Sequence, residues 1–481
     1  MMKSRARATA TGVSVGLTIG ALVGACTSLP EITAAPTDAG TETSADVGSA
    51  TDAGDPALSA ACKTFLAANG PPGRWAFGPV AGSAVTYVES DKGVPEIAWV
   101  GMCEGADKPT VYRTPLDGFA PSKDAITRFP AGDLCVGAKQ FGPAIAVQGL
   151  EDIVTLIPSD RTPSFLCALV TGNGGVAPPF GLSRVACFGS DPTVKAPEPI
   201  QGTIIGLFRS KEFGRSTIRG AFAGADLSSR VNTFVASEGT GGVVFSPTIE
   251  MAQKAPEGAT AAIATTGSPT EDSFVLFDQS TAVLTRYASN GTKTSDYPTA
   301  ANIPKALLWG ETVFSDANDV LIAGLEGPLD NGLRPRVSLF VASGPSSPGL
   351  IPPFYQPVTD LGTASGRSTY GLESGGFERL VMVPGTNAAG TGAAIVAVRG
   401  VSKGTPISAL VLAKQGLGGL LPSATNSVKI PALPTRYGLA GRIPTTTGGK
   451  PSIYVGISAD AMAGWSKGVC TSGMIAAFEP Q

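Results

Sequence analysis

An all-β fold is what this sequence predicts, on three observations. Short apolar runs of strand character recur along most of its 481 residues. Gly (62) and Pro (39) are abundant and fall between those runs. Stretches with sustained helical periodicity are few. Helix interiors tolerate neither Gly nor Pro, whereas both punctuate short strands and turns. Hydrophobic content of 43% is enough for a sizeable core, so abundant Gly and Pro do not signal low-complexity disorder here.

The chain opens on a basic segment with Lys3, Arg5 and Arg7 and no acid. An apolar, small-residue run from 8 to 25 follows, with Val13, Leu17, Ile19 and Leu22. Basic then apolar is the pattern of an export signal. The run is diluted by Gly and Thr and falls short of the roughly 20 apolar residues that span a bilayer. It ends Leu22-Val23-Gly24-Ala25-Cys26, which resembles the lipobox of bacterial lipoproteins: aliphatic, small, small, Cys. That resemblance implies a signal peptide over 1–25, cleavage before Cys26, diacylation of its thiol and acylation of the new amine. Two or three acyl chains anchor stably where one is marginal. Thr27 stands where Asp tends to retain such lipoproteins in the inner membrane, so an outer-membrane place is favoured if the host is Gram-negative.

Residues 26–57 are mostly Thr, Ala, Asp, Gly, Ser and Pro without an aromatic, and Thr37-Asp38-Ala39-Gly40 is echoed by Thr51-Asp52-Ala53-Gly54. Such a segment has too little to bury to offset the entropy of ordering. It reads as a flexible tether lifting the folded part, 58–481, off the membrane.

Strand-like runs in that part include Val85-Thr86-Tyr87-Val88, Ile97-Ala98-Trp99-Val100, Ile153-Val154-Thr155-Leu156-Ile157, Phe274-Val275-Leu276-Phe277 and Val337-Ser338-Leu339-Phe340-Val341. They are β-branched or aromatic and bounded by Gly, Pro, Asn or Asp. Hairpin turns are expected at Asp117-Gly118, Asn290-Gly291 and Asn331-Gly332. One short helix is expected over residues 62–68.

A strand followed by a turn closed by Gly recurs, with Gly at 118, 174, 239, 291, 344 and 400. The intervals are 56, 65, 52, 53 and 56 residues, and a looser copy is Ser452-Ile453-Tyr454-Val455-Gly456. About four short strands per 50–60 residues is the periodicity of propeller blades. Tyr112-Arg113 to Gly118 and Arg286-Tyr287 to Gly291 resemble hairpins of bacterial β-propellers. The expected fold is a β-propeller of seven blades, with six or eight, or another all-β architecture, as alternatives.

Besides Cys26 there are six cysteines: Cys62, Cys103, Cys135, Cys167, Cys187 and Cys470. An even number in an exported chain reads as disulfides, and six allow 15 pairings. The pairing expected is Cys103–Cys135 and Cys167–Cys187 as local bridges, with Cys62–Cys470 joining the ends of a closed ring. There is no C-x-x-C for a zinc ribbon.

The chain has no histidine. That removes Ser-His-Asp and Cys-His nucleophile activation, His-ligated metal sites and the commonest general acid/base. The P-loop and a complete G-x-G-x-x-G are missing. Asp316-Ala317-Asn318-Asp319 offers oxygens, but Val320 and Leu321 break the calcium-loop pattern, and a surface turn is the reading. No cofactor and no metal are called for. Carboxylate pairs hydrolyse glycosides without histidine; Glu151-Asp152 and Glu271-Asp272 are the adjacent acids, though neighbours on a strand point to opposite faces. Of Trp75, Trp99, Trp309 and Trp465, Trp99 reads as core, and Trp465, between Gly464 and Ser466, is the one to test for ligand binding. Net charge is −3 without a basic cluster, so no nucleic-acid partner is expected.

The function these readings favour is a membrane-anchored envelope lipoprotein carrying a non-catalytic binding or scaffolding propeller. Its partners are the membrane, through the lipid, and a protein or glycan ligand. The alternative is an envelope enzyme acting on glycans with Asp and Glu alone.

Overall fold

The computed structural model describes residues 59–70, 74–115, 134–147, 151–159, 165–171, 183–223, 230–254, 263–265, 273–278, 283–297, 307–315, 319–343, 354–383, 393–421, 427–443 and 451–480, with gaps of one or two residues within some spans. All belong to one compact unit, Ala53–Gln481. No helix among them is long and apolar enough to cross a membrane.

Helix α1 (Ala60–Asn69) and strand β1 (Arg74–Gly78) come first. Four-stranded antiparallel meanders then succeed one another. The first is β2 (Val80–Glu89), β3 (Pro95–Gly101), β4 (Thr110–Pro115) and β5 (Lys139–Phe141). The second is β6 (Asp152–Pro158), β7 (Phe165–Thr171), β8 (Ser183–Gly189) and residues 200–202 of β9 (Ile200–Glu212). The remainder of β9 turns to β10 (Arg215–Ala223) and opens the third, continued by β11 (Arg230–Gly239), whose far edge β12 (Gly242–Phe245) and β13 (Ile249–Lys254) share. The fourth is β14 (Ile263–Thr265), β15 (Ser273–Asp278), β16 (Val283–Ala288) and β17 (Lys293–Tyr297). The fifth is β18 (Leu307–Ser315), β19 (Asp319–Glu326), β20 (Arg336–Ser343) and β21 (Phe354–Asp360). Helix α2 (Ala364–Thr369) leads to the sixth: β22 (Ser374–Met382), β23 (Ala393–Ser402) and β24 (Thr405–Gly416), edged by β25 (Gly419–Leu421) and β26 (Ser427–Pro431). The last is β27 (Gly438–Arg442), β28 (Ser452–Ile457), helix α3 (Ala459–Trp465) and β29 (Gly473–Phe478). Strand β1, from the other end of the chain, completes it by pairing antiparallel with β29.

The first strand of each meander packs on the first strand of the next: β2 on β6, then β9, β14, β18, β22, β27 and back to β2. Where two of them bridge, β14 and β18, they run parallel. Four-stranded meanders arranged around a closed ring by their first strands are the β-propeller architecture. Because these innermost strands run the same way, their first residues share one rim.

The core lies between successive meanders. Along β23, Ala393, Ile395 and Ala397 face the last meander, while Ala394, Val396 and Val398 face the fifth. Strand β29 divides likewise, Met474, Ala476 and Phe478 against Ile475 and Ala477. A strand buried on both faces reads as a continuous apolar run rather than an alternation, which is why the sequence carries Ala-Ala-Ile-Val-Ala-Val here. Each fully buried Val or Ile contributes about 1.5–3 kcal/mol.

The three expected disulfides are present: Cys62–Cys470, Cys103–Cys135 and Cys167–Cys187. The expected helix forms and is longer by a few residues, capped by the Ser59 hydroxyl, which accepts from the Cys62 N–H at 3.1 Å. Helices α2 and α3 were not anticipated; they are short and carry little periodicity. Asn331 and Gly332 adopt φ of 49° and 80° in the β19–β20 turn, as a two-residue hairpin requires. Gly291, at φ 83°, closes the β16–β17 turn, and Asp117-Gly118 lies outside the described residues. The sequence repeat falls once in each meander but not always on the same strand. It marks the third strand at β4, β11, β16 and β20, and the second at β7, β23 and β28. Both are interior strands with the same apolar content, hence the uneven intervals.

Candidate functional site

The rim where the innermost strands begin carries a cluster of charged and hydroxyl side chains. Asp152 is the first residue of β6 and is 8% exposed. The Ser83 hydroxyl, from β2, donates to its Oδ2 at 3.2 Å. Ser83 reaches it because β2 leaves the regular ladder between Val80 and Val85, an irregularity of the kind that re-aims side chains. Burial pushes the Asp152 carboxyl above its ordinary pKa; the Ser83 hydroxyl, the backbone N–H groups of Ser83 and Ile153 and the charge of Arg436 oppose this. Asp152 is therefore a carboxyl prepared to hold a proton, beside a hydroxyl and a guanidinium.

Arg436 is positioned by its neighbour. The fully buried Tyr437 donates its hydroxyl to Glu378 Oε2 at 2.6 Å. Glu378 Oε1 accepts from Arg399 Nε at 3.1 Å and Nη2 at 2.7 Å. Arg399 also donates to the carbonyls of Leu433 and Pro434, at 3.0 and 3.1 Å. The Arg379 guanidinium lies 4.5 Å over the Tyr437 ring and donates to the Tyr437 carbonyl. Burial first, and the Glu378 charge second, push the Tyr437 phenol well above its ordinary pKa, so it remains a donor. Glu378 falls at the irregularity of β22 between Phe377 and Arg379. Strands β22 and β23 thereby fix the segment that delivers Arg436 to the rim.

The candidates from sequence are placed as follows. Glu151 and Asp152 diverge: Glu151 pairs with Arg184 while Asp152 turns to Ser83, as strand alternation requires. Glu271 and Asp272 lie outside the described residues, as do Cys26 and residues 316–318. Trp465 ends α3, half-buried, its ring edge-on to Phe65 of α1 at 5.2 Å. Trp99 is fully buried, its indole N–H donating to Thr114 Oγ1 at 2.9 Å. The side chains of Trp75 and Trp309 are not among those described. Among the described residues no group of acids and cysteines is arranged to hold a metal ion. Ser83, Glu378, Arg436 and Tyr437 went unnoticed in the sequence. The available signal was glycine inside strands, Gly82 beside Ser83 and Gly375-Gly376 before Glu378, which marks bulges and close approach.

The strand order and ring closure define the class as an all-β propeller. No protein-family model matches the chain, and no curated protein matches it. Solved structures similar to it include an ancestral GH74 enzyme, at 11% identity and TM-score 0.39, covering 79% of this chain and 45% of that one. The chain thus spans less than half the length of that enzyme. An α-L-arabinanase of Penicillium chrysogenum, solved with arabinobiose, is similar at 12% identity and TM-score 0.35, covering 85% of this chain and 98% of that one. The Dos1 propeller is similar at 11% identity and TM-score 0.37, with 83% and 95% covered.

Proposed function

We propose that this chain is a lipid-anchored envelope protein whose seven-bladed propeller binds a protein or glycan ligand at the rim of Asp152 and Arg436. Residues 1–25 are its export signal, Cys26 its acylation site and 26–57 its tether. The reading of seven blades is supported by the seven meanders traced among the described residues. The observation that carries the binding reading is the Glu378–Tyr437–Arg399 network, which spends its own charges on internal bonds while fixing Tyr437, next to Arg436, whose charge acts on Asp152. Envelope extract passed over the purified lipoprotein tests it. A protein or glycan retained by wild type and lost with Arg436→Ala is the expected result; equal retention by both, or none by either, counts against it.

One observation favours a second reading, a glycan-cleaving enzyme. Asp152 is held towards its protonated state by burial, as a general acid must be. The groups acting on it are a hydroxyl, backbone N–H groups and a guanidinium, and the second carboxylate such chemistry uses is not among them. New reducing ends released from envelope glycans by wild type, and abolished by Asp152→Asn, would establish this reading over the first.

A further inference from the structure

Arg334 is a buried cation that makes no ion pair among the described residues. It follows the β19–β20 turn, where its backbone exchanges hydrogen bonds with Phe377 of β22 at 2.8 and 2.7 Å. It is 9% exposed, and its Nε is enclosed without an acceptor. Burial alone acts on its pKa, pulling it down. The acids around it on the adjoining strands are committed elsewhere. Glu326 and Asp360 hold Arg336, Glu326 also receives Ser338, and Glu378, next to Phe377, holds Arg399 and Tyr437. Taking a guanidinium out of water is costly unless a partner compensates it, and among the described residues no acid pairs with it.

Its place gives the vacant pairing a use. The β19–β20 turn joins the second and third strands of a meander and so stands at the rim where β22 begins. Arg436 precedes β27 at that same rim, and Asp152 opens β6 there.

We propose that Arg334 anchors a site for an anionic group of the ligand, a carboxylate or a phosphate, received by the planar fork of the guanidinium. The inference names the charge of the ligand and so rests on the binding reading. Small anions as probes separate the two.

The experiment follows thermal unfolding of the full lipoprotein in detergent, with inorganic phosphate or galacturonate added at constant ionic strength. Wild type, Arg334→Met and Arg334→Lys are compared. Expected is a saturable rise in the wild-type midpoint, none for Arg334→Met, and a smaller rise for Arg334→Lys, which keeps the charge and loses the fork. A response to galacturonate alone assigns a carboxylate; one to phosphate alone assigns a phosphate. Without added anion, Arg334→Met unfolds at or above the wild-type temperature, because an uncompensated charge has been removed. The proposal is overturned if wild type and Arg334→Met respond equally, if neither responds, or if Arg334→Met melts well below wild type without anion. The last result would mean that the guanidinium is already satisfied within the fold. Loss of this site with retention of an envelope ligand through Arg436 would leave the binding reading standing.

Discussion

Cys62 and Cys470 are bonded across 408 residues of sequence, and the strands beside them, β1 and β29, are hydrogen-bonded neighbours. The bond ties α1 to the turn after α3, where the Ser59 hydroxyl also donates to the Val469 carbonyl at 3.1 Å. It therefore locks a ring that the strand pairing has already closed.

Replacing both cysteines by Ser is expected to lower stability by about 2–5 kcal/mol, mainly by freeing a very long loop in the unfolded chain. Denaturant unfolding of the double variant beside wild type measures this. Because β1 still pairs with β29, the variant is expected to fold; failure to fold would mean that the bond directs closure rather than securing it.

Asp152 sets a pH dependence with a definite sign. Its folded carboxyl titrates above its ordinary value of 3.8, so the folded state binds the proton more tightly than the unfolded one. The stability this contributes is complete below the ordinary carboxylate range and is lost as pH climbs through the raised value. Asp152→Asn removes that loss. The stability of wild type minus that of Asp152→Asn is expected to fall as pH rises above the ordinary value of 3.8. A difference that is flat or rising as pH is raised above that value, measured by urea titration at each pH, contradicts the burial argument.

Tyr437→Phe deletes one donor to Glu378 and is expected to cost about 1.5–3 kcal/mol, the range for a hydrogen bond to a charged group. Combined with Glu378→Gln, the two changes should fall short of additivity by about 0.5–3 kcal/mol. Strict additivity in chemical unfolding would show that the two side chains, 2.6 Å apart, are not energetically coupled.

Gly438 opens β27, and a Cβ there would overlap the backbone carbonyl oxygen of Ser83. A backbone atom in the ring cannot swing aside. Gly438→Ala is expected to destabilise by about 3 kcal/mol or more, at the severe end of overpacking. Gly464, in α3, has open space around the same position. Gly464→Ala should be neutral or stabilising by about 0.5–1 kcal/mol. Parallel melting of the two variants checks both.

The strands were legible because burial on both faces leaves an unmistakable mark, as in the apolar run of β23. The repeat was legible too, although it could not say which strand of a meander it marked, since second and third strands carry the same signature. The cysteine pairing was read as two local bridges between neighbours in sequence and one joining the two ends, which a closed ring accounts for. The rim was another matter. Ser83 meets Asp152 from 69 residues away and Tyr437 meets Glu378 from 59, distances over which no local pattern operates. Trp465 stood out in the sequence by its Gly and Ser neighbours, yet Gly464 lies within α3 and Ser466 caps it, and the ring packs on Phe65.

The pairing of β1 with β29 has a consequence for biogenesis. Strand β1 is made long before β29 and finds its partner only when β29 is delivered. Until then β1 is an unpaired edge, open to other chains. A product stopping before Gly473 would keep that edge permanently, so termination there should yield an aggregation-prone species rather than a shortened working protein.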